Sequence, residues 1–222
     1  MQIVINSHVK NTTALEHLLN SMKKQKEYND YKIIVTVGGH FELKDYTIML
    51  GDDPNVTYIL CNHNSIDFTG LIALVELYFG NFDQYYMYLH DTCKVGNNFY
   101  KKLGAIDLTN VSSIKLCPHS SMNMGIYSQS TINTFRDFLM SKKNTDERKS
   151  IDFKMNANED YLFDNDITNR VLANYDDGFY KSEPTDYYKT GTLRIIEYHA
   201  NMDLYKIKAN WGAENHVWTL KL

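Results

Sequence analysis

The order of the first ninety residues restricts this chain most: short apolar, strand-length runs alternate with amphipathic stretches of helical period. Ile3-Val4-Ile5, Ile33 to Val37, Val56 to Leu60 and Tyr85 to Leu89 are apolar, β-branched or aromatic, as buried strands require. Thr13 and Glu16 form a capping-box pattern, behind which Leu15, Leu18, Leu19 and Met22 share one helical face. Leu71, Leu74, Val75 and Tyr78 share another between Ser65 and Phe79, and Gly80-Asn81 supplies the stop. Strand, helix, strand, strand, helix, strand is the order of βαβ units. It predicts an α/β fold of Rossmann-like kind, with a mixed, mostly parallel central sheet flanked by helices.

The second half is less regular. Strands are expected at Ile114 to Leu116 and Met124 to Tyr127, then a helix carrying Ile132, Phe135, Phe138 and Leu139. Ser141 to Ser150 is polar enough to read as an exposed loop. A further helix is expected to start near Asn158 and carry Phe163, Ile167 and Val171. Leu193 to Tyr198 and Leu204 to Ile207, flanking His199-Ala200-Asn201-Met202-Asp203, predict a C-terminal hairpin.

With 222 residues, 43% of them hydrophobic, one well-buried core is affordable and no linker divides the sequence, so a single domain over 1–222 is expected. A formal charge of −4 argues against holding nucleic acid through phosphate neutralisation. The start, MQIVINSHVKN, has no basic n-region, and no run approaches the roughly 20 apolar residues of a membrane span. The expectation is a cytoplasmic protein. Cys61, Cys93 and Cys117 lack CxxC spacing and predict buried thiols rather than a disulfide framework or a structural zinc site.

The polar group His90-Asp91-Thr92 follows the fourth strand, and in open α/β sheets ligands bind beyond the carboxyl ends of the strands. Taken alone, a strand ending in Asp-Thr is equally the start of a turn. The wider pattern carries more weight. From Asn62-His63-Asn64, through the helix, to Tyr88-Leu89-His90-Asp91-Thr92, the chain resembles the donor half of GT-A-fold glycosyltransferases, in which a hydrophobic strand leads into an acidic, metal-binding DxD motif. Met1 to His8 is similar to that family's first strand, and Asn158-Glu159-Asp160-Tyr161 resembles the xED motif of its inverting members.

The resemblance implies a donor half over 1–93 and an acceptor half over 94–222. It implies a nucleotide-sugar donor held by Ser7, His8, Asn62, Asn64, His90 and Asp91, and a carbohydrate acceptor near Asn123 and Trp211. Asp160, with Glu159, would supply the catalytic base, and a divalent Mn²⁺ or Mg²⁺ would sit on Asp91 and on His199 from the C-terminal region. The motif here is reduced to a single acid. Glu159-Asp160 near a helix start is also what helix-dipole stabilisation produces, and His8, Asn62 and Asn64 are equally ordinary loop formers. The GxGxxG and GxxxxGK[ST] fingerprints are absent, which argues against a dinucleotide dehydrogenase or a P-loop NTPase. A non-catalytic module that binds a glycan or nucleotide on a degenerate transferase fold is the competing expectation.

Overall fold

The computed structural model describes residues 1–116, 123–155, 170–171, 179–180 and 193–209. In chain order its strands are β1 (Gln2–His8), β2 (Ile33–Gly38), β3 (Thr47–Leu50), β4 (Val56–Leu60), β5 (Tyr85–His90), β6 (Cys93–Val95), β7 (Ser113–Lys115), β8 (Gly125–Ser128), β9 (Arg170–Val171), β10 (Phe179–Tyr180), β11 (Leu193–His199) and β12 (Leu204–Ala209). The helices are α1 (Thr12–Lys23), α2 (Thr69–Leu77), α3 (Phe99–Gly104), α4 (Gln129–Thr134), α5 (Arg136–Ser141) and α6 (Glu147–Met155), with 3₁₀ turns at Lys26–Asp30 and Ile66–Phe68. The chain divides into two compact units that interleave along the sequence: Met1–Lys10, Asn29–His90 and Leu108–Val171 form the first, and the remainder forms the second.

The first unit is built on an eight-stranded sheet in the order β3-β4-β2-β1-β5-β8-β7-β9. The four strands read from the sequence, β4, β2, β1 and β5, run parallel side by side, and β3 and β8 join antiparallel at either side of them. Ile3, Val4 and Ile5 of β1 and Ile33, Ile34 and Val35 of β2 are all buried, which is why these strands show no polar alternation. Helix α2 is buried around its whole circumference from Gly70 to Val75 and packs on β1 and β2 and against α4 and α5. β3 escaped the sequence pattern because all four of its residues, Thr47 to Leu50, are exposed on the sheet edge.

Three local expectations change. The helix through Ile132 and Leu139 is interrupted at Phe135, whose backbone leaves helical geometry and separates α4 from α5. α1 begins after Asn11 with no side-chain capping bond, so Thr13 and Glu16 do not form the expected box. Ser141 to Ser150 is not simply a solvated loop: α6 begins inside it, capped by Asp146 accepting from the Lys149 amide at 3.0 Å, and Ser150 is buried. The expected helix near Asn158 lies outside the described residues.

The second unit holds a four-stranded sheet in the order β10-β11-β12-β6. Its centre is the predicted hairpin: β11 and β12 pair antiparallel from His199↔Leu204 outward, and β12 pairs antiparallel with β6. α1 turns Ala14, Leu15, Leu18, Leu19 and Met22 inward and packs on β6, where Ser21 Oγ accepts from the Val95 amide at 3.1 Å. The architecture is α/β, with a large, mostly parallel sheet flanked by helices and a C-terminal antiparallel hairpin. Among the described residues no helix is long and apolar enough to cross a membrane.

One position decides how α2 meets the sheet. A Cβ at Gly70 would lie 2.7 Å from Thr36 Oγ1 and 2.8 Å from Tyr88 Cε2, and Tyr88 is fully buried. Helix propensity alone would make Gly70→Ala stabilising by about 1 kcal/mol. The buried ring cannot yield, so overpacking decides the sign. Gly70→Ala is expected to lower unfolding free energy by about 1–3 kcal/mol in urea titration; a gain in stability would show that the helix can lift off the sheet freely.

Candidate functional site

Because β4, β2, β1 and β5 are parallel, their carboxyl ends share one edge of the first unit's sheet. Chain order runs outward from β1 to β2 and β4 on one side and to β5 on the other, so the order reverses between β1 and β5. This switch point is where open α/β sheets bind ligands, because the loops leaving the two strands diverge there. Asn6 and His90 are register partners across it. Ser7 and His8 end β1, Gly38 ends β2, Asn62, His63 and Asn64 follow β4, and His90 ends β5.

Asn6 is the polar residue that interrupts the apolar run of β1, and the sequence reading passed over it. Its Nδ2 donates to the Ile66 carbonyl at 2.8 Å, and its Oδ1 accepts from the Gly70 amide at 2.9 Å. Tyr88 on β5 donates to the neighbouring Asp67 carbonyl at 2.9 Å. Ile66 itself has φ +53, a strained conformation for a β-branched residue. Asn64 Oδ1 accepts from its amide at 3.2 Å, so Ile66 is gripped from both sides. Strain of this kind persists only where the surroundings over-determine the backbone, and it concentrates at ligand-handling loops.

His8 and His90 sit differently. The Lys10 amide donates to His8 Nδ1 at 3.1 Å, so the neutral ring carries its proton on Nε2. The ring lies on Gly39, whose φ is +98 and where a Cβ would fall 2.7 Å from His8 Nε2. Only glycine fits that turn. His90 is buried, its Nε2 3.8 Å from Asp67 Oδ1 and its ring edge-on to Tyr88. Asn62 donates from Nδ2 to the Lys44 carbonyl at 2.8 Å, and Asn64 Oδ1 is used within its own loop. Asn123, at φ +59 and buried, forms the turn into β8 and accepts from the Tyr127 hydroxyl through its carbonyl at 2.9 Å.

The loop 62–66 rests on a partly buried polar chain, with His63 and Ser65 fully inside, that the sequence did not disclose. Lys143 Nζ donates to both oxygens of Glu76, at 3.0 and 2.8 Å, and Tyr46 donates its hydroxyl proton to Glu76 Oε2. That leaves the Tyr46 oxygen as acceptor for His63 Nε2 at 3.1 Å, which fixes the His63 tautomer and leaves Nδ1 to accept a long bond from Ser65 Oγ at 3.5 Å. Ser65 Oγ in turn accepts from the Asn144 amide at 3.0 Å, and Ser150 Oγ donates to the Asn64 carbonyl at 2.8 Å. The polar stretch 141–150 is thus spent on holding this loop. Burial, and then the Lys143 ammonium, push His63 down to about 4. Burial would raise the Glu76 carboxyl, but hydrogen bonds from Lys143 and Tyr46 outweigh it and hold it below the usual carboxylate range.

In the second unit, Asp91 and Thr92 form the turn leading into β6, and Asp91 is buried. The Thr92 carbonyl accepts from the Ile207 amide at 2.8 Å, and its hydroxyl accepts from the ammonium of Lys206, a lysine only 3% exposed. His199 is the last residue of β11, buried rather than standing in an open polar loop as the sequence suggested. The hairpin turn beside it is clamped. Asp203, at φ +50, accepts through Oδ2 from the Asn98 amide at 2.8 Å and through Oδ1 from the Tyr198 hydroxyl at 2.9 Å, while Lys102 Nζ donates to the Ala200 carbonyl at 2.6 Å. A Cβ at Gly96 would fall 2.1 Å from Asp203 Oδ1, so this clamp needs glycine there.

Among the described residues no group of three or more His, Cys, Asp and Glu side chains is placed to hold a metal. A hard cation that keeps waters and diphosphate oxygens needs only one or two protein ligands, and an oxygen from Asp91 with a nitrogen from His199 is a donor set compatible with Mn²⁺. Glu159, Asp160 and Trp211 lie outside the described residues.

No protein-family model and no curated protein matches this sequence. Among solved structures, the glycosyltransferase GlyE of Streptococcus pneumoniae TIGR4 is similar over 77% of this chain and 45% of its own, with a TM-score of 0.50 and 11% identity. The apo form of the same glycosyltransferase gives a TM-score of 0.41 at 12% identity, over 77% of this chain and 44% of that one. The chain therefore spans somewhat less than half the length of these neighbours. At such identity the likeness is one of fold: the α/β architecture is shared with a glycosyltransferase.

Buried His63, in the polar chain beneath loop 62–66, gives stability a defined pH dependence. Because His63 is depressed from 6.5 to about 4 on folding, the unfolded chain takes up a proton first as pH falls. Its contribution is complete above about pH 6.5 and is lost as pH drops towards 4, by on the order of 3 kcal/mol. The lowered Glu76 acts in the same direction at still lower pH. Urea unfolding at pH 7, 5.5 and 4.5 is expected to show this loss in the wild type and a flatter profile in His63→Gln. Parallel profiles would mean that His63 is not the titrating group.

Proposed function

We propose that this chain is a glycosyltransferase of GT-A type that moves a sugar from a nucleoside-diphosphate donor to a hydroxyl of a glycan acceptor, with inversion at the anomeric carbon. The observation that carries the reading is the switch-point edge: four parallel strands bring Ser7, His8, Asn64 and His90 to one side of the sheet, in a fold shared with a glycosyltransferase. His8 and Ser7 would meet the nucleoside, since they end β1 at the switch point and His8 is seated on a turn that excludes larger residues.

In the proposed reaction the acceptor oxygen bonds to the anomeric carbon as the bond from that carbon to the diphosphate oxygen breaks. The electron pair leaves with the diphosphate, and the acceptor proton passes to the carboxylate of Asp160, with Glu159 beside it in sequence. A divalent cation, Mn²⁺ or Mg²⁺, when bound through Asp91 and His199, supplies neutralising charge to the diphosphate. Asn123 and Trp211 would face the acceptor, the indole offering a surface on which a sugar ring stacks.

A thermal-shift screen of UDP, GDP, CDP and dTDP with and without Mn²⁺ tests the donor half. One nucleotide is expected to raise Tm, further with Mn²⁺, and Asp91→Ala is expected to remove the metal-dependent increment. Asp160→Asn should lower turnover by roughly 10²- to 10⁴-fold while leaving nucleotide binding unchanged. No stabilisation by any of the four nucleotides would reject the transferase reading. Nucleotide binding without any donor hydrolysis or transfer would favour a non-catalytic module.

A further inference from the structure

The outer edge of the first unit's sheet carries a feature that the proposed roles leave unused. β3 stands at one end of the strand order and, among the described residues, pairs with β4 alone. Ile48, Met49 and Leu50 are consecutive and exposed, Leu50 by 78%. Three exposed apolar residues in a row are unusual unless something covers them. Edge strands are ordinarily protected by a charge, a proline or a bulge. Thr47-Ile48-Met49-Leu50 contains none of these, and its register with β4 is unbroken from Thr47↔Leu60 to Leu50↔Thr57. The direction of its backbone groups is fixed as well. The Gly51 amide donates to the Val56 carbonyl at 2.9 Å, so Gly51, Met49 and Thr47 turn their polar groups towards β4. Ile48 and Leu50, in alternation with them, direct N–H and C=O away from the sheet.

We infer that β3 is a self-association edge whose occupant is β3 of a second copy of this chain, paired antiparallel across a two-fold axis. The inference is independent of the transferase reading. Antiparallel strands exchange both bonds only where an outward-facing residue stands opposite another outward-facing residue. Thr47 opposite Leu50, the register that overlaps the two strands completely, sets an inward residue against an outward one and is excluded. Two neighbouring registers remain. With Ile48 opposite Ile48, Tyr46 faces Leu50, Thr47 faces Met49, and exposed Lys44 faces exposed Asp52 of the second copy, twice by symmetry. With Ile48 opposite Leu50, Lys44 faces Pro54 and Asp52 faces Tyr46, so neither charge meets its complement. Charge therefore selects the first register. Four strand residues per copy bury less than the about 1,000 Å² of a stable interface, so the association is weak, with a Kd on the order of 10–100 μM. Because β3 runs against β4, the pairing turns the parallel strands of the two copies in opposite directions, and the two switch-point edges point opposite ways.

Sedimentation velocity over micromolar to submillimolar concentrations tests the association, and amide exchange read by NMR locates it. The wild type is expected to move from monomer towards dimer as concentration rises. Exchange at the Ile48 and Leu50 amides is expected to slow by roughly three- to tenfold over that range, while the Met49 and Gly51 amides, already bonded to β4, do not change. Ile48→Lys sets two like charges on the axis and is expected to weaken association by more than about tenfold, with Tm unchanged because the residue is exposed. Lys44→Glu is expected to weaken it about two- to tenfold, and Lys44→Glu with Asp52→Lys to restore it. A wild type that stays monomeric throughout overturns the inference. So does a dimer whose Kd is indifferent to Ile48→Lys, since it forms through another surface. Protection of the Ile48 and Leu50 amides that is the same at every concentration also overturns it, by showing that the chain covers its own edge. If Ile48→Lys does not fold, the wild-type amide protection and the Lys44 and Asp52 variants decide, and a double variant that fails to recover the Kd overturns the register.

Discussion

The seating of α2 on β1 and β2, with Tyr88 of β5 against its first turn, is the constraint on which the first unit depends. Asn6 bonds the Gly70 amide and the Ile66 carbonyl, Tyr88 bonds the Asp67 carbonyl, and Gly70 is the residue small enough to let the helix approach. Each partner satisfies a backbone group at the start of a helix that is otherwise apolar on every side. Once these bonds are made, the loop before the helix has one course to follow, and Ile66 is forced to a positive φ to follow it. Helix packing and the shape of the ligand-facing edge are therefore one problem with one solution, since displacing α2 would release Asn6 into the edge and unwind the turn beyond it.

The same logic governs the polar chain below that loop. Tyr46, His63, Glu76 and Lys143 come from a loop, a strand exit, a helix and a distant connection, and no sequence window contains more than one of them. Their value lies in fixed proton positions. Glu76 is held ionised by Lys143, so Tyr46 must donate to it, so His63 must donate to Tyr46, so Ser65 must donate to His63. Burial keeps the Tyr46 hydroxyl protonated, pushed well above its ordinary value, and keeps Cys61 beside the chain as a thiol, pushed up to about 12. A network with every direction assigned resists rearrangement, because reversing one bond reverses all of them.

The parallel half was legible in the sequence because its strands are buried on both faces, where physics demands uninterrupted apolar runs: Ile3 to Ile5 and Ile33 to Val37 can be little else. The hairpin of β11 and β12 was legible for a related reason, two apolar runs around a polar turn. β3 was not, since an exposed edge strand carries no burial signature, and neither was the break at Phe135, where apolar period continues across a change of helix. At the candidate site, position was legible and role was not. His8 and His90 fall at the strand ends that the pattern required, yet the residues organising that edge, Asn6 and Tyr88, looked like an interruption and a core aromatic. The one available signal was Asn6 itself, a carboxamide inside a strand that should tolerate no polar side chain without a partner.

Asp91 is buried in a turn whose neighbouring threonine hydroxyl accepts from the Lys206 ammonium, so the turn is tied to β12 by a side chain as well as by the Ile207 amide on the Thr92 carbonyl. Under the transferase reading, metal affinity then depends on ligands that arrive with the nucleotide, since one carboxylate and one imidazole complete few of the six positions that a hard cation prefers. Cation and diphosphate would bind together rather than in sequence.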